Sequence, residues 1–345
     1  MINKTENTPT MKDIARIAGV TQATVSYVIN GSEDISETVK KKVLDTAEEL
    51  GYIPNLVARN LKKRKTNTIG IIVPDVMNSY YSEMIKYNER IIRERNYFTF
   101  ICNTMHDAEI EDWYTISLIQ QKVAGVIICY GLTKRECYKK LYKHNIPFVV
   151  IDGDTDMEEE TPCIFVNHIK GSFLVVKHFI SMGITDIAYC SEPLYNIALR
   201  NRYEGFRNAL REFGLAENSD RIYIANEKNE YEKIEVGYIA AKEILSKGKP
   251  GGIYAANDQM AFGVIKRLNE MKISIPQDVA VIGYDDVPFS SISSPSLTTI
   301  NQPIKKICTR GTDILYKMIR KDGNIDMKVT FEPNIVIRHS APETN

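Results

Sequence analysis

Nine short apolar runs, separated by segments of helical periodicity, constrain this chain more than any other feature. They are Ile69 to Pro74, Tyr97 to Cys102, Val123 to Cys129, Phe148 to Asp152, Ile164 to Asn167, Ile187 to Cys190, Ile222 to Ala225, Ile253 to Asn257 and Val279 to Tyr284. Between them lie segments such as Tyr81 to Arg95, Glu111 to Gln121, Ser172 to Ser181, Asn201 to Phe213, Ile234 to Ser246 and Gln259 to Met271, whose pattern is helical. A strand that is apolar on both faces has to be covered on both faces, so the alternation predicts parallel sheets sandwiched by helices. Nine strands over this length fit two sheets better than one. In such sheets ligands bind beyond the carboxyl ends of the strands. The residues there are polar: Asp75 and Asn78 after the first run, Asp152 after the fourth, Asn257 and Asp258 after the eighth, Asp285 and Asp286 after the ninth, with Arg200 and Arg202 opening a helix near the sixth. With Tyr80, Tyr81 or Tyr231 as walls, they suit a polyhydroxylated ligand. Singly, each is more often a cap or a turn residue; their recurrence at strand ends gives the set its weight.

The first fifty residues follow a different rule. Ile14, Ala15 and Ala18 form one face of a helix, Gly19 permits a sharp turn, and Thr21 is placed to cap a second helix that buries Val25, Val28 and Ile29. The second helix then presents Thr21, Gln22, Ala23, Ser26 and Tyr27 outward, small polar groups able to reach base edges. Ser36 can cap a third helix carrying Val39, Val43, Ala47 and Leu50, and Gly51 ends it. A plain helical hairpin fits the first two helices as well, and the pattern alone leaves that reading open. Met1 to Thr68 holds 11 basic against 8 acidic residues, a net of +3, whereas the rest holds 33 against 36. Arg59, Lys62, Lys63, Arg64 and Lys65 have no carboxylate among them, which suits a polyanion or, more commonly, a solvated linker. The two-turn segment around Leu56, Val57 and Leu61 is too short to be a stable helix alone and should form only against a partner. An apolar residue among cations is what minor-groove insertion requires; the plainer use is a linker helix packed on the next domain.

Six cysteines without a C-x-x-C pair, and five scattered histidines, point to buried thiols and to no metal site. No apolar run reaches membrane-spanning length and Met1 to Thr10 has no signal-peptide core, so a cytoplasmic protein with a disordered start is expected. No G-x-G-x-x-G or P-loop follows a strand, and Ser191 and Ser290 lack a histidine partner, which argues against an enzyme.

The residues resemble the LacI/GalR transcriptional repressors over nearly the whole chain, from about Lys12 to Ala341. The resemblance is carried by I-A-R-I-A-G-V-T-Q-A-T-V-S-Y-V-I-N, G-Y-I-P-N-L-V-A-R-N-L, T-I-G-I-I-V-P-D, R-Y-E-G-F, A-A-N-D-Q-M-A-F-G, V-I-G-Y-D-D and L-T-T-I. It implies α plus α/β architecture: a disordered start over 1–10, a helix-turn-helix domain over 11–54, a hinge helix and linker over 55–67, and a periplasmic-binding-protein-like domain over 68–345. In the last, one lobe is expected over 68–167 plus 299–327 and the other over 168–298 plus 328–341. It also implies DNA contacts by Thr21, Gln22, Ala23, Ser26, Tyr27, Asn55, Leu61 and Lys62, with Leu61 as the minor-groove wedge. Effector contacts are implied for Tyr80, Tyr81, Asp152, Arg202, Tyr231, Asn257 and Asp285, to which the strand-end position adds Asp75. Tyr27 stands where arginine is often found, Tyr231 is one position out of register, and Asn167-His168 replaces the usual Asp-Asn pair. The implied partners are a pseudopalindromic operator duplex, a second copy of the chain, and a small-molecule effector, a sugar by the composition of the cleft. No cofactor and no membrane are implied. A solute-binding sensor with a degenerate DNA head and a corepressed regulator of a purine-like metabolite are the alternatives.

Overall fold

The computed structural model describes residues 9–29, 31–32, 34–53, 66–130, 135–152, 161–226 and 232–343. Contacts divide the chain into two units between Lys65 and Thr66. In the first unit, α1 (Met11–Ala18), α2 (Gln22–Ile29) and α3 (Glu37–Glu49) form a small bundle. Thr10 and Asp13 cap α1 reciprocally, and Gly19, at φ 66°, ends it by returning its N–H to the Ala15 carbonyl. The Thr21 hydroxyl accepts the Thr24 N–H at 3.1 Å and so starts α2. Burial of Val25 and Val28 against Ile14, Ala18 and Val43 then fixes one helix on the others. Ser36 occupies the cap position of α3 as expected, but its side chain makes no capping bond.

The second unit has two lobes, each built on a six-stranded sheet. The first lobe runs β1 (Thr68–Val73), α4 (Ser79–Glu94), β2 (Phe98–Asn103), α5 (Ala108–Gln120), β3 (Gly125–Cys129), α6 (Arg135–Lys143), β4 (Phe148–Ile151) and β5 (Cys163–Val166). The chain then crosses into α7 (His168–Ser181), β6 (Ile187–Ser191), α8 (Ile197–Glu212), β7 (Ile222–Ile224), α9 (Lys233–Ser246), β8 (Gly252–Ala255), α10 (Asp258–Glu270), β9 (Ala280–Asp285) and β10 (Thr298–Asn301). It returns as α11 (Ile304–Arg320) and β11 (Lys328–Phe331) and crosses a third time into β12 (Asn334–Val336). The sheet orders are β11-β5-β4-β3-β1-β2 and β12-β10-β9-β8-β6-β7. Every pair is parallel except β10 with β12.

The described residues thus hold three strands that apolar runs did not announce, β10 to β12, of three or four residues each. Thr298-Thr299-Ile300-Asn301 is too short and polar to read as a strand, and Lys328 to Phe331 alternates between exposed and half-buried as an edge strand does. The expected lobe boundaries need correction for the same reason. Because β10 pairs with β9 and β11 with β5, the second and third crossings lie at residues 302–303 and 332–333, not at 298/299 and 327/328.

Helices cover both faces of each sheet, and β1, β3, β4, β6, β8 and β9 are buried almost throughout. All six cysteines are buried free thiols. Burial pushes Cys102, Cys190 and Cys308 up to about 12, and Cys137 and Cys163 to about 11. No helix among the described residues is long and apolar enough to cross a membrane.

Candidate functional site

The cleft between the lobes is organised by α8. Asn196 caps this helix by accepting the Leu199 N–H at 2.7 Å. Further along, Gly205 rests on the backbone of α7, where a Cβ would stand 2.5 Å from the Ile169 carbonyl oxygen. Arg202 lies three residues earlier on the same helical face, so the close approach permitted by glycine delivers its side chain to the start of α7 and the carboxyl ends of β8 and β9. The guanidinium is buried and held on every side. Nη1 donates to the Ala256 carbonyl at 2.6 Å, Nη2 donates to Asp285 Oδ1 at 3.1 Å, and the plane lies 3.8 Å over the Tyr284 ring. Burial works against its charge, but Asp285 and the surrounding tyrosines hold it protonated, its pKa raised. Burial likewise pushes the Asp285 carboxyl up, and Arg202 pulls it back.

Asp285 also accepts Gln302 Nε2 at 2.7 Å, and Gln302 Oε1 accepts the Tyr80 hydroxyl at 3.0 Å, so the network reaches across to α4 of the first lobe. His168, the first residue of α7, makes a second crossing. Its Nδ1 lies 3.0 Å from the Tyr284 hydroxyl and 3.4 Å from Arg202 Nε, which places the proton on Nε2. That Nε2 is 3.4 Å from Asp152 Oδ1, without the alignment of a hydrogen bond. Burial lowers the pKa of the imidazole, against the pull of Asp152, and keeps it neutral.

A second polar group faces the same cavity. Glu192, at the end of β6, accepts Asn257 Nδ2 at 3.2 Å and the Tyr195 hydroxyl at 2.6 Å, with Lys233 Nζ at 3.6 Å. Burial works against the ionised carboxylate, but Lys233, Tyr195 and His106 hold its pKa below the ordinary value. Tyr195 meets the His106 and Tyr130 rings of the first lobe edge-on, at 5.2 and 6.2 Å between centroids. Six non-glycine residues at strand ends beside the cleft hold positive φ: Met105, His106, Tyr130, Asp152, Asp285 and Asp286, with Tyr130 at 95° and Asp285 at 112°. Such conformations cost energy; Tyr130, Asp152 and Asp285 adopt them where they line the cavity, whereas Asp286 turns away to Arg338 and Asn301. These side chains leave a cavity of about 40 Å³, so a ligand the size of a monosaccharide enters only when the lobes part.

Tyr80, Tyr81, Asp152, Arg202, Asn257 and Asp285 all line this one cavity. Asp75 does not; its carboxylate accepts the Met77 N–H at 2.8 Å in its own turn, and Asn78 takes the cleft position instead. Tyr231, Asn55, Leu61 and Lys62 lie outside the described residues. Sequence reasoning missed Glu192, Tyr195, Lys233 and Gln302. Glu192 and Tyr195 follow a strand end, a signal that was there to use; Lys233 sits in a run of charges that resembles any solvated loop. On α2, Thr21, Gln22 and Ala23 are exposed, Tyr27 is 58% exposed, and Ser26 is half-buried.

Comparisons with known proteins agree with this architecture. Residues 10–55 match the model of the bacterial regulatory proteins of the lacI family, and residues 176–341 match a periplasmic binding protein-like domain. The transcriptional repressor PurR of Vibrio campbellii is 34% identical over 97% of this chain and 99% of its own length. The ribose operon repressor of Escherichia coli K12 is 33% identical over 96% of this chain and 99% of its own. Among solved structures, the lac repressor dimer bound to operator and the anti-inducer ONPF superposes with a TM-score of 0.85 at 25% identity, covering 97% of this chain and 99% of that one. The chain belongs to the lacI family of bacterial regulatory proteins, DNA-binding transcriptional regulators whose second domain is periplasmic-binding-protein-like.

Proposed function

We propose that this chain is a dimeric, cytoplasmic repressor that reads a pseudopalindromic operator with the outward face of α2, and whose grip is set by a sugar held between the lobes. The observation that carries the effector reading is the Arg202 network: a buried guanidinium, fixed by a carbonyl, a carboxylate and an aromatic ring, at the carboxyl ends of two strands. Charged groups that are fixed in place and face tyrosine walls are the means by which proteins grip polyols. Gln22 and Ala23 select bases, Thr21, Ser26 and Tyr27 flank them, and Asn55, Leu61 and Lys62 serve the operator centre. Tyr27 offers one hydroxyl and a ring edge where an arginine would read guanine bidentately.

A second copy of the chain is supported by an apolar groove of about 830 Å³ lined by Met77 of the first lobe and Ile234, Phe262, Ile265, Phe289 and Ile292 of the second. Met77 and Ile292 are three-quarters exposed, and contiguous apolar surface of this kind marks an interface. The solved lac repressor relative is a dimer. Because the groove draws on both lobes, a partner seated on it feels their relative movement. By the general rule for allostery, effector and operator then influence one another by about 1–3 kcal/mol.

Selection of bound sequences from a random duplex pool at moderate salt, with and without a mixture of sugars and nucleobases, tests the whole reading. Enrichment of a two-fold-symmetric site with a flexible central step is the expected result, and the condition that enriches it gives the sign of the effector. Enrichment in neither condition rejects the repressor reading.

A further inference from the structure

The cleft reading leaves one buried charged pair unused. Glu192 and Lys233 line the same cavity as Arg202 and Asp285, yet neither takes part in their network. We propose that Glu192, with Lys233 and Asn257 beside it, is the specificity-determining residue of the cleft, accepting a hydroxyl of a neutral sugar and rejecting anionic ligands. The proposal rests on the cleft being the effector site and names the class of ligand it takes.

Hydrogen-bond capacity leads to the class. A carboxylate only accepts, an ammonium only donates, and a carboxamide does both. Among the described residues, close bonds from Tyr195 at 2.6 Å and Asn257 at 3.2 Å take two of the four lone-pair sites on Glu192. Lys233, whose side chain is 14% exposed, approaches Glu192 only to 3.6 Å, a long contact for a group with three donors. An acceptor and a donor with spare capacity, side by side, match a group that donates and accepts at once, as a hydroxyl does. Phosphate or carboxylate accepts only and would meet Glu192 at like charge; an amine donates only and would meet Lys233.

The charge of the whole cleft agrees. Asp152, Glu192 and Asp285 are three carboxylates against the two cations Arg202 and Lys233, with His168 and His106 neutral by burial, so a further anion is disfavoured. The Tyr195 and Tyr130 rings, with His106 packed against both, line the same cavity and offer the carbon face of a sugar an apolar wall.

Titration calorimetry on the full-length protein tests the assignment with D-ribose, D-xylose, D-glucose and cellobiose as neutral probes and ribose 5-phosphate and hypoxanthine as contrasts. The expected result is binding of a neutral sugar, weakened about 10- to 100-fold in Glu192→Gln, because hydrogen bonds to a charged group are worth that much. Lys233→Met, at the first residue of α9, should weaken the same sugar by a similar factor and gives a second variant independent of the first. Arg202→Ala separates the two levels of the reading. If Arg202→Ala abolishes sugar binding while Glu192→Gln and Lys233→Met keep wild-type affinity, the Glu192 assignment falls and the cleft stands. Sugar binding untouched by Arg202→Ala overturns the cleft itself. Binding of ribose 5-phosphate or hypoxanthine with no neutral sugar bound, or of none of the probes, overturns the ligand class.

Discussion

The two lobes contribute unequally to the cleft between them. The second supplies most of its charge: Arg202, Asp285, Glu192, Lys233 and the Asn257 carboxamide, tied to one another before any ligand arrives. The first supplies Tyr80, Tyr81, Tyr130 and His106, rings that meet at edges, and one carboxylate, Asp152. The difference teaches how a hinged site economises. The half with costly buried charges holds them by its own hydrogen bonds and ion pairs, so part of their desolvation is offset before binding. The other half brings surfaces that lose little when they swing away and gain contact area when they return.

Breaking the charged half should therefore cost the most. Arg202→Ala strands Asp285 in the interior without its counter-ion, and a loss of about 3–5 kcal/mol in unfolding free energy is expected, read from the urea midpoint. A loss within 1 kcal/mol would mean that Asp285 simply takes up a proton. Gly205→Ala comes next. The new methyl meets the Ile169 backbone at 2.5 Å, so α7 and α8 must separate, with a stability loss of about 1–3 kcal/mol and a parallel weakening of effector binding as Arg202 is displaced. Melting and ligand titration on one preparation would show whether the two losses travel together. Tyr80→Phe tests the ring-bearing half: it removes only the hydroxyl that reaches Gln302, a buried bond between the lobes worth about 1 kcal/mol, so the unfolding free energy should fall by about that much.

A further effect concerns acidity. Asp258 is buried and accepts the Val287 N–H, the Ser290 hydroxyl and the Thr299 hydroxyl, which also commits the serine that had no histidine. Burial, then the charge of Asp285, push its carboxyl up to about 8 from an ordinary 3.8. A folded-state value above the unfolded one means stability that is complete at low pH and declines as pH rises from about 4 through about 8. Urea midpoints across that window should slope less in Asp258→Asn than in the wild-type protein; equal slopes would show that the carboxyl is already ionised when folded.

Both sheets were legible because their central strands are apolar on both faces, and the helix-turn-helix was legible because Gly19 and Thr21 mark its turn. The short strands were not: Thr298 to Asn301 and Lys328 to Phe331 owe their conformation to the neighbours they pair with, and pairing partners far apart in sequence leave no local mark. The lobe boundaries went astray with them. The strand-end rule pointed to Asp152, Asn257 and Asp285, which line the cavity, and to Asp75, whose carboxylate turns to its own loop instead. Lys233 was invisible, since a charge that points inward and one that points outward look alike in a run of Glu and Lys. Gln302 was missed because it sits at a crossing whose position the sequence misplaced.

The interleaved path of the chain has a consequence for biosynthesis. The sheet of the first lobe ends in β11, delivered only after the second lobe has been made, and the sheet of the second ends in β12. Neither lobe can finish on the ribosome ahead of the other, as domains laid out one after another do. Until residues 328–336 emerge, β5 and β10 each present an open edge, so a nascent chain of this kind carries two unpaired strand edges until late, one in each lobe.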